Sequence, residues 1–229
     1  MDSSSKPWYK RWWGVLGVVF LTLILIFLVA AGFYFYNSIQ AAKLELSQAG
    51  YIRQLAESGQ VYSAADNEHY WLGSDKAKIT IVEFGDFACP NCEKSFSTIR
   101  EIGLKYKNDI KFIWRDYPVV ADYSALLALA GRCAGEQGLF WPMHDKLFQN
   151  QGVDTADQLS ALANQIGADM TRYNDCMNKQ KYLAQIQKDL TDGQTFGNNG
   201  TPTWFINGYK VEGDIPYDTF IKIIEGLKK

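Results

Sequence analysis

The sequence is poor in histidine and cysteine and carries no excess of positive charge. Its 229 residues include two histidines and four cysteines, and 23 lysines and arginines stand against 25 aspartates and glutamates. A net charge of −2, without a basic stripe, gives no sign of a nucleic-acid partner. The chain has one close cysteine pair, Cys89 and Cys92, whereas a structural zinc site ordinarily uses two such pairs. We therefore expect no metal site.

An uncharged apolar run near the N-terminus predicts a membrane-spanning helix at residues 14–36. A helix of this length rises roughly 34 Å, at about 1.5 Å per residue, which is enough to cross a bilayer with some tilt. The positive charges that precede the run are Lys6, Lys10 and Arg11. After it, Lys43 and Glu45 balance each other. Since positive charge is retained on the cytoplasmic side, residues 1–13 are expected in the cytoplasm and the rest of the chain outside it.

A cleaved signal peptide is the competing interpretation of this run. Residues Val29–Gly32 weakly resemble a cleavage site, but the run continues through the aromatic residues 33–36. Signal peptides ordinarily have a shorter apolar region. We therefore favour a single-pass anchor that is retained in the cell membrane.

The remainder of the chain alternates between helix and strand patterns. Residues 37–60 carry an incomplete apolar stripe and are predicted to form a helical stalk, which leaves residues 61–229 for the folded domain. In that domain the β-branched run Lys78–Phe84 predicts a buried strand, and a helix and a second strand follow it. Residues 121–191 look all-helical, and the Asn207-Gly208 pair then predicts a hairpin before a final helix.

Three finer expectations concern the connections between these elements. The strand, helix and strand around the close cysteine pair predict two parallel neighbouring strands. Residues 61–78 are polar and are predicted to form a loop that leads into the first strand. Residues 168–197 are predicted to form the last and longest helix of the helical block.

The pair Cys89 and Cys92 lies between the first predicted strand and the helix that follows it. A disulfide across so small a loop would constrain the unfolded chain little, so stability gives little reason for it. In the first turn of a helix, free backbone N–H groups and the helix dipole favour a thiolate at Cys89. Pro90 suits the first helical position because it has no N–H to lose there. Redox chemistry is therefore predicted, with Cys89 as the nucleophile and Cys92 as the resolving thiol.

Two separated motifs together resemble a known family. The stretch "IVEFGDFACPNC", followed far downstream by "GTPTWFING", is similar to the DsbA-like thiol–disulfide oxidoreductases of the thioredoxin superfamily. The resemblance covers about residues 61–229. It implies an α/β thioredoxin-like fold with an inserted helical domain, here residues 121–191, preceded by the single transmembrane helix. It further implies an extracytoplasmic, bacterial protein that needs no organic cofactor.

The resemblance also implies roles for single residues. Cys89 would attack, Cys92 would resolve, and Pro202 would be a cis proline beside the active site. A client polypeptide would then form main-chain hydrogen bonds next to Thr201. Glu83 falls where the family often has a buried acid, whose raised pKa would let it exchange protons with the resolving cysteine. The alternative is that Glu83 faces solvent at the end of its strand.

Asn91 departs from the pattern of the best-known oxidising members, which have a histidine at this position. Asparagine is uncharged and offers a neighbouring thiolate only amide hydrogen bonds. A less stabilised thiolate makes the disulfide a weaker oxidant. Pro90 and Asn91 are therefore expected to tune the active site, and Asn91 leaves the direction of the reaction open.

The other two cysteines, Cys133 and Cys176, fall in the predicted helical block. In an oxidising compartment they are expected to form a structural disulfide. The alternative is a pair of buried free thiols that behave as small apolar residues.

Taken together, these features predict a membrane-tethered oxidoreductase that introduces disulfides into folding client proteins. Its partners would be clients with free thiols and a membrane reoxidase of the quinone-coupled kind. One alternative is a reductase or isomerase that a membrane electron donor keeps reduced. Another, of a different class, is a non-enzymatic tethered chaperone or a metal-binding module for copper.

Overall fold

The computed structural model describes residues 12–57, 60–66 and 68–228, and for residues 44–57 it describes the backbone alone. The chain forms two compact units, Met1–Gly50 and Tyr51–Lys229, so the division falls inside the predicted stalk. Residues 1–11 of the predicted cytoplasmic segment lie outside the described residues, and so do residues 58 and 59 of the predicted stalk.

Helix α1 (Trp12–Glu57) is continuous and contains both the predicted anchor and most of the predicted stalk. Its segment Trp12–Lys43 is long and apolar enough to cross a membrane. The side chains of that segment are exposed, whereas the core helix of a soluble protein would bury them. The first unit thus contains one long apolar helix, which is compatible with a single-pass membrane anchor.

In the described part of the second unit, five strands form one mixed sheet in the order β1-β3-β2-β4-β5. The strands are β1 (Trp71–Gly73), β2 (Ile79–Gly85), β3 (Ile110–Asp116), β4 (Thr203–Ile206) and β5 (Tyr209–Glu212). Strands β2 and β3 are parallel, as predicted, and helix α2 (Pro90–Lys105) connects them. Strand β4 is antiparallel to both β2 and β5, and the predicted hairpin at Asn207-Gly208 joins β4 to β5.

The register between β2 and β4 determines where the functional site lies. Phe84 pairs with Thr203 and Glu83 with Trp204. The last residues of β2, which lead to the close cysteine pair, therefore lie beside the first residues of β4, which follow Pro202. The two motifs that are far apart in the sequence therefore meet where β2 ends and β4 begins.

Strand β1 corrects the prediction that residues 61–78 are a loop throughout. Its three residues pair with β3, and Trp71 lies opposite Ile113. A strand of three residues is too short to show an alternating pattern, and its hydrogen bonds depend on the edge of β3 that is available to it.

Helices between β3 and β4 form the insertion, and one more helix ends the fold. They are α3 (Ser124–Gly135), α4 (Phe140–Gln149), α5 (Ala156–Gln165), α6 (Met170–Asn178), α7 (Leu183–Thr195) and the C-terminal α8 (Tyr217–Leu227). The single helix predicted for residues 168–197 is wrong, because the chain forms α6 and α7 there. Gln180 has a left-handed φ of 48° between the two helices and interrupts the helical path.

Apolar side chains cover both faces of the sheet. Ile81 belongs to the core that β2 shares with α2 and α8, and Val82 belongs to the core on the opposite face. Since successive side chains of a strand point to opposite faces, Glu83 points to the same face as Ile81, the one that α2 covers. Cys89 and Cys92 belong to a third cluster, whose other members come largely from the insertion.

Candidate redox site

The candidate site lies where β2 ends and α2 begins. Cys89 is the N-cap of α2, with an extended backbone (φ −81°, ψ 121°), and Pro90 is its first residue. The N–H of Cys89 donates to the carbonyl of Asp86 at 3.0 Å, and the N–H of Glu93 donates to the carbonyl of Cys89 at 3.1 Å. Both cysteines of the pair are thiols in this structure. Cys89 therefore lies at the end of α2 where the backbone N–H groups of the first turn have no partner within the helix.

The segment before β4 comes within hydrogen-bonding distance of Cys89. The Cys89 thiol donates to the main-chain carbonyl of Thr201 at 3.2 Å. The peptide bond between Thr201 and Pro202 is cis. Both residues therefore lie next to the sulfur, as the family resemblance implied.

The surroundings of Cys89 favour its thiolate form at neutral pH. A hydrogen bond from the Cys92 thiol lowers the pKa of Cys89 to about 6, against the opposing effect of burial. The side-chain hydroxyl of Thr201 and the N–H groups of Cys92 and Asn91 lower it further. Thiolates are the nucleophiles of disulfide exchange, so the surroundings of Cys89 suit a reaction that begins at this sulfur.

The surroundings of Cys92 favour its protonated form instead. Its side chain is fully buried, and burial raises the pKa of Cys92 well above its ordinary value. The hydrogen bond that it donates to Cys89 and the nearby carboxyl of Glu83 raise its pKa further. Cys92 therefore stays a thiol while Cys89 ionises, and one sulfur of the pair is distinguished from the other.

Glu83 is buried, so the solvent-exposed alternative for this residue is wrong. Its side chain is 3% exposed, and its Oε1 atom has no hydrogen-bond partner among the described residues. Burial raises the pKa of Glu83 well above the ordinary value, and the charge of Cys89 raises it further. Burial therefore favours the protonated form of Glu83, and the carboxyl lies close enough to the cysteine pair to interact with it electrostatically.

Asp86 was not among the predicted site residues, although it organises the turn before Cys89. One oxygen of its buried carboxylate accepts the N–H of Ala88 at 2.8 Å. The other accepts the N–H groups of Val119 and Val120, each at 2.8 Å. Asp86 thus ties the active-site turn to the loop between β3 and α3. An aspartate that follows a strand and precedes a turn is a local signal for this arrangement, because its side chain reaches the N–H two residues on.

The remaining predicted residues lie on the rim of the site or apart from the pair. Pro90 and Asn91 are exposed on the first turn of α2. Cys133 of α3 and Cys176 of α6 form a disulfide inside the insertion, with 5.7 Å between their Cα atoms. Within the described ranges, no three His, Cys, Asp or Glu side chains are grouped closely enough to hold a metal ion.

A family model described as thioredoxin matches residues 65–226. Among solved structures, oxidised BdbD from Bacillus subtilis is 29% identical, with a TM-score of 0.64 over 70% of this chain and 94% of that chain. The thiol-disulfide exchange protein α-DsbA2 from Wolbachia pipientis is 18% identical and shares the fold, with a TM-score of 0.64 over 81% of this chain and 98% of that chain.

Similar curated proteins include much longer chains. The Na⁺/H⁺ antiporter NhaA 1 of Salinispora arenicola is 33% identical over 150 residues, which are 65% of this chain and 23% of the antiporter. The NhaA 3 antiporter of Salinispora tropica is 32% identical over 67% of this chain and 23% of its own length. The antiporter names refer to those whole proteins, of which this chain spans less than a quarter.

Proposed function

The chain belongs to the thioredoxin family, as a DsbA-like member, and on that premise we propose that it is a membrane-tethered oxidoreductase that oxidises the thiols of client proteins outside the cytoplasm. The observation that supports the proposal is that the pKa values of the two thiols at the start of α2 are shifted in opposite directions. Cys89 has a pKa of about 6, and the buried Cys92 has a raised pKa. A pair with this asymmetry reacts with substrates through one sulfur and resolves through the other.

The proposed reaction starts from a disulfide between Cys89 and Cys92. A client thiolate attacks the Cys89 sulfur and forms a mixed disulfide, while Cys92 leaves as a thiolate and takes up a proton. A second client thiolate then attacks the client sulfur of the mixed disulfide, and Cys89 leaves as a thiolate. Two electrons pass from the client to the protein, and the client keeps the new disulfide.

We assign the proton for Cys92 to the buried carboxyl of Glu83. Burial raises the pKa of this carboxyl and so favours its protonated form, and its charge influences the pKa of Cys92. When Cys92 leaves as a thiolate, proton transfer from Glu83 prevents it from attacking the mixed disulfide again. In the reverse direction the same carboxylate would take the proton from Cys92.

The main chain beside Pro202 is proposed as the binding site for the client backbone. In the dithiol form the Thr201 carbonyl accepts the Cys89 thiol. A disulfide has no S–H, so in the oxidised form this carbonyl is left to accept an N–H from an extended client segment. Pro202 has no N–H that could compete with the client.

The proposed tether is the apolar part of α1, Trp12–Lys43. Its N-terminal end would face the cytoplasm, and residues after the span would face outward, as the charge distribution of the sequence indicates. A membrane position also suits a quinone-coupled reoxidase that would take the two electrons from Cys89 and Cys92.

Asn91 supports a second candidate function, that of a reductase or isomerase. Its side chain is uncharged, and its backbone N–H stabilises the Cys89 thiolate. A weaker oxidant would be kept as a dithiol by a membrane electron donor and would attack client disulfides through Cys89.

Thiol trapping in cells tests the proposal. The cells are quenched with acid to stop thiol exchange, and the free thiols are then alkylated. Mass measurement of the full chain gives the steady-state redox form of Cys89 and Cys92. We expect mostly disulfide for an oxidase, whereas mostly dithiol would favour the reductase or isomerase. The Cys89→Ser variant is the control for chemistry, since either redox function is lost in it. Full activity of that variant would instead identify a chaperone or another non-enzymatic module.

A further inference from the structure

Gln151 reaches the active-site turn from the insertion. Its side-chain Nε2 donates to the carbonyl of Phe87 at 3.0 Å and to the carbonyl of Cys89 at 2.9 Å. Both acceptors are main-chain oxygens, so only the NH₂ end of the amide can face them. One side chain thus uses its two donors on the peptide groups on either side of the Ala88–Cys89 bond.

Together with one main-chain hydrogen bond, these contacts hold three consecutive peptide groups in place. Gln151 holds the group that contains the Phe87 carbonyl and the group that contains the Cys89 carbonyl. Between them, the N–H of Cys89 donates to the carbonyl of Asp86. The backbone on both sides of the Cys89 Cα atom is therefore held, and with it the direction of the Cα–Cβ bond that carries the sulfur.

The position of Gln151 is itself well fixed. It follows α4 in a tight turn, in which the N–H of Val153 donates to the carbonyl of Asn150 at 3.3 Å. The next residue, Gly152, has a φ of +98°, which favours glycine. One turn before, Phe148 of α4 packs on Phe87 with 5.1 Å between the ring centroids. The amide of Gln151 is thus presented to the turn by a packed part of the insertion, although the residue itself is exposed.

We propose that Gln151 is a positioning residue of the redox site, which acts by holding the carbonyls of Phe87 and Cys89 so that the Cys89 sulfur faces the N–H groups of the first turn of α2. It does not touch the reacting sulfur. Its amide also satisfies the carbonyl of Phe87 and is a second donor to the carbonyl of Cys89, which accepts the N–H of Glu93 as well. The insertion thereby contributes to the reactivity of a cysteine that lies outside it. This inference rests on the proposed function, because it takes Cys89 as the reactive thiol.

The test compares alkylation of Cys89 at pH 6 in the full-length reduced protein. Gln151→Met keeps the length of the side chain without its donors, and Gln151→Glu keeps its shape but presents oxygen to both carbonyls. Loss of hydrogen bonds of this kind is expected to slow iodoacetamide alkylation about 3- to 10-fold in Gln151→Met, and more in Gln151→Glu. The thiolate absorbance at 240 nm, corrected with the Cys89→Ser variant, should titrate at higher pH in both.

Gln149→Met is the matched control, since Gln149 is the exposed last residue of α4, two positions before Gln151. It should alkylate at the wild-type rate. Wild-type rates in both Gln151 variants would overturn the inference, even if their thermal midpoints fell, because a purely structural role would change stability without changing the thiolate. If the wild-type protein itself showed no fast alkylation at pH 6, the proposed function would fail first and the inference with it.

Discussion

His69 and Asp189 lie 120 positions apart in the sequence, and the Nε2 atom of His69 is 2.7 Å from the Oδ1 atom of Asp189. The other ring nitrogen of His69 lies 2.5 Å from a carboxyl oxygen of Asp66. The fully buried Asp189 also accepts hydrogen bonds from Arg115 and Arg132. This buried network joins the segment before β1 to the end of β3 and to helices α3 and α7.

The network makes stability depend on pH through His69. Burial opposes the charged imidazolium, but hydrogen bonds with Asp189 and Asp66 outweigh it and raise the pKa of His69 above 6.5. The folded protein therefore holds this proton more tightly than the unfolded chain does. The resulting stabilisation is fully present below pH 6.5 and is lost as the pH rises through the raised pKa. We expect the free energy of unfolding of the wild type, minus that of His69→Gln, to decrease from pH 6 to pH 9 in denaturant titrations.

His144→Gln is the control for this prediction because His144 is shifted in the opposite direction. Its complete burial lowers the pKa of His144, so the corresponding loss of stability occurs as the pH falls. Above pH 7 the difference between the wild type and His144→Gln should be constant. A constant difference between the wild type and His69→Gln from pH 6 to pH 9 would contradict the prediction.

The disulfide between α3 and α6 is expected to contribute substantially to stability. Cys133 and Cys176 are separated by 43 positions, and both side chains are buried. In the chain-entropy account, closing a loop of this length stabilises the folded state by about 4 kcal/mol. The double variant Cys133→Ala/Cys176→Ala should lose about this much in denaturant titrations under oxidising conditions.

The matched control is the wild-type protein in reducing denaturant, which should unfold at the same denaturant concentration as the double variant. The bond itself is checked by alkylation and mass measurement after full oxidation. Two alkylated thiols at Cys133 and Cys176 in the oxidised protein would show that no such bond forms.

The central fold could be predicted because its signals are local. The apolar run before the cysteine pair predicted β2, and the Asn207-Gly208 turn predicted the hairpin of β4 and β5. Both signals lie within a few residues of the structure that they specify. The division into α6 and α7 has no such signal, since the residue with left-handed φ is Gln180 rather than a glycine. Strand β1 likewise depends on a partner strand that is distant in the sequence.

The same distinction applies to the site. Cys89 and Cys92 are visible because their chemistry and their position at a helix start lie within one short motif. Gln151 donates to the carbonyl of Cys89 from 62 positions away, and no spacing or residue type in its surroundings indicates that contact. The burial of Glu83 was implied by the family resemblance alone, because the strand pattern leaves open whether a helix covers the face to which this side chain points.

Asn91→His is expected to make the protein a stronger oxidant. Asn91 is exposed on the first turn of α2, and its backbone N–H already lowers the pKa of Cys89. A protonated imidazole would add positive charge beside the thiolate and so favour the dithiol form. We expect the reduction potential to rise by about 30 mV, which is a tenfold change in the redox equilibrium constant.

Equilibration with defined ratios of reduced and oxidised glutathione, followed by acid quench and mass measurement, gives this constant. Asn91→Gln is the control, because it changes the size of the side chain without adding charge, and its constant should stay close to that of the wild type. If the histidine variant equilibrated with glutathione like the wild type, charge at this position would have no part in the redox balance.

The carboxyl of Glu83 is expected to lower stability at neutral pH. The unfolded chain loses this proton near pH 4.5, whereas the raised pKa lets the folded protein keep it to higher pH. The stability of the wild type therefore falls as the pH rises from 4.5 towards the raised pKa, and Glu83→Gln removes that dependence. In denaturant titrations the variant should gain stability relative to the wild type between pH 4 and pH 8.

The same variant should impair the reaction, which separates a proton-transferring acid from an incidental buried one. With a proton donor and acceptor removed, the Cys92-dependent resolution of a mixed disulfide is expected to slow about 100-fold or more at pH 7 in stopped-flow experiments. Glu93→Gln is the matched control, since that carboxyl lies exposed in the first turn of α2 and should affect neither measurement. A Glu83→Gln protein that is more stable at pH 8 yet resolves at the wild-type rate would leave Glu83 buried but without a part in proton transfer.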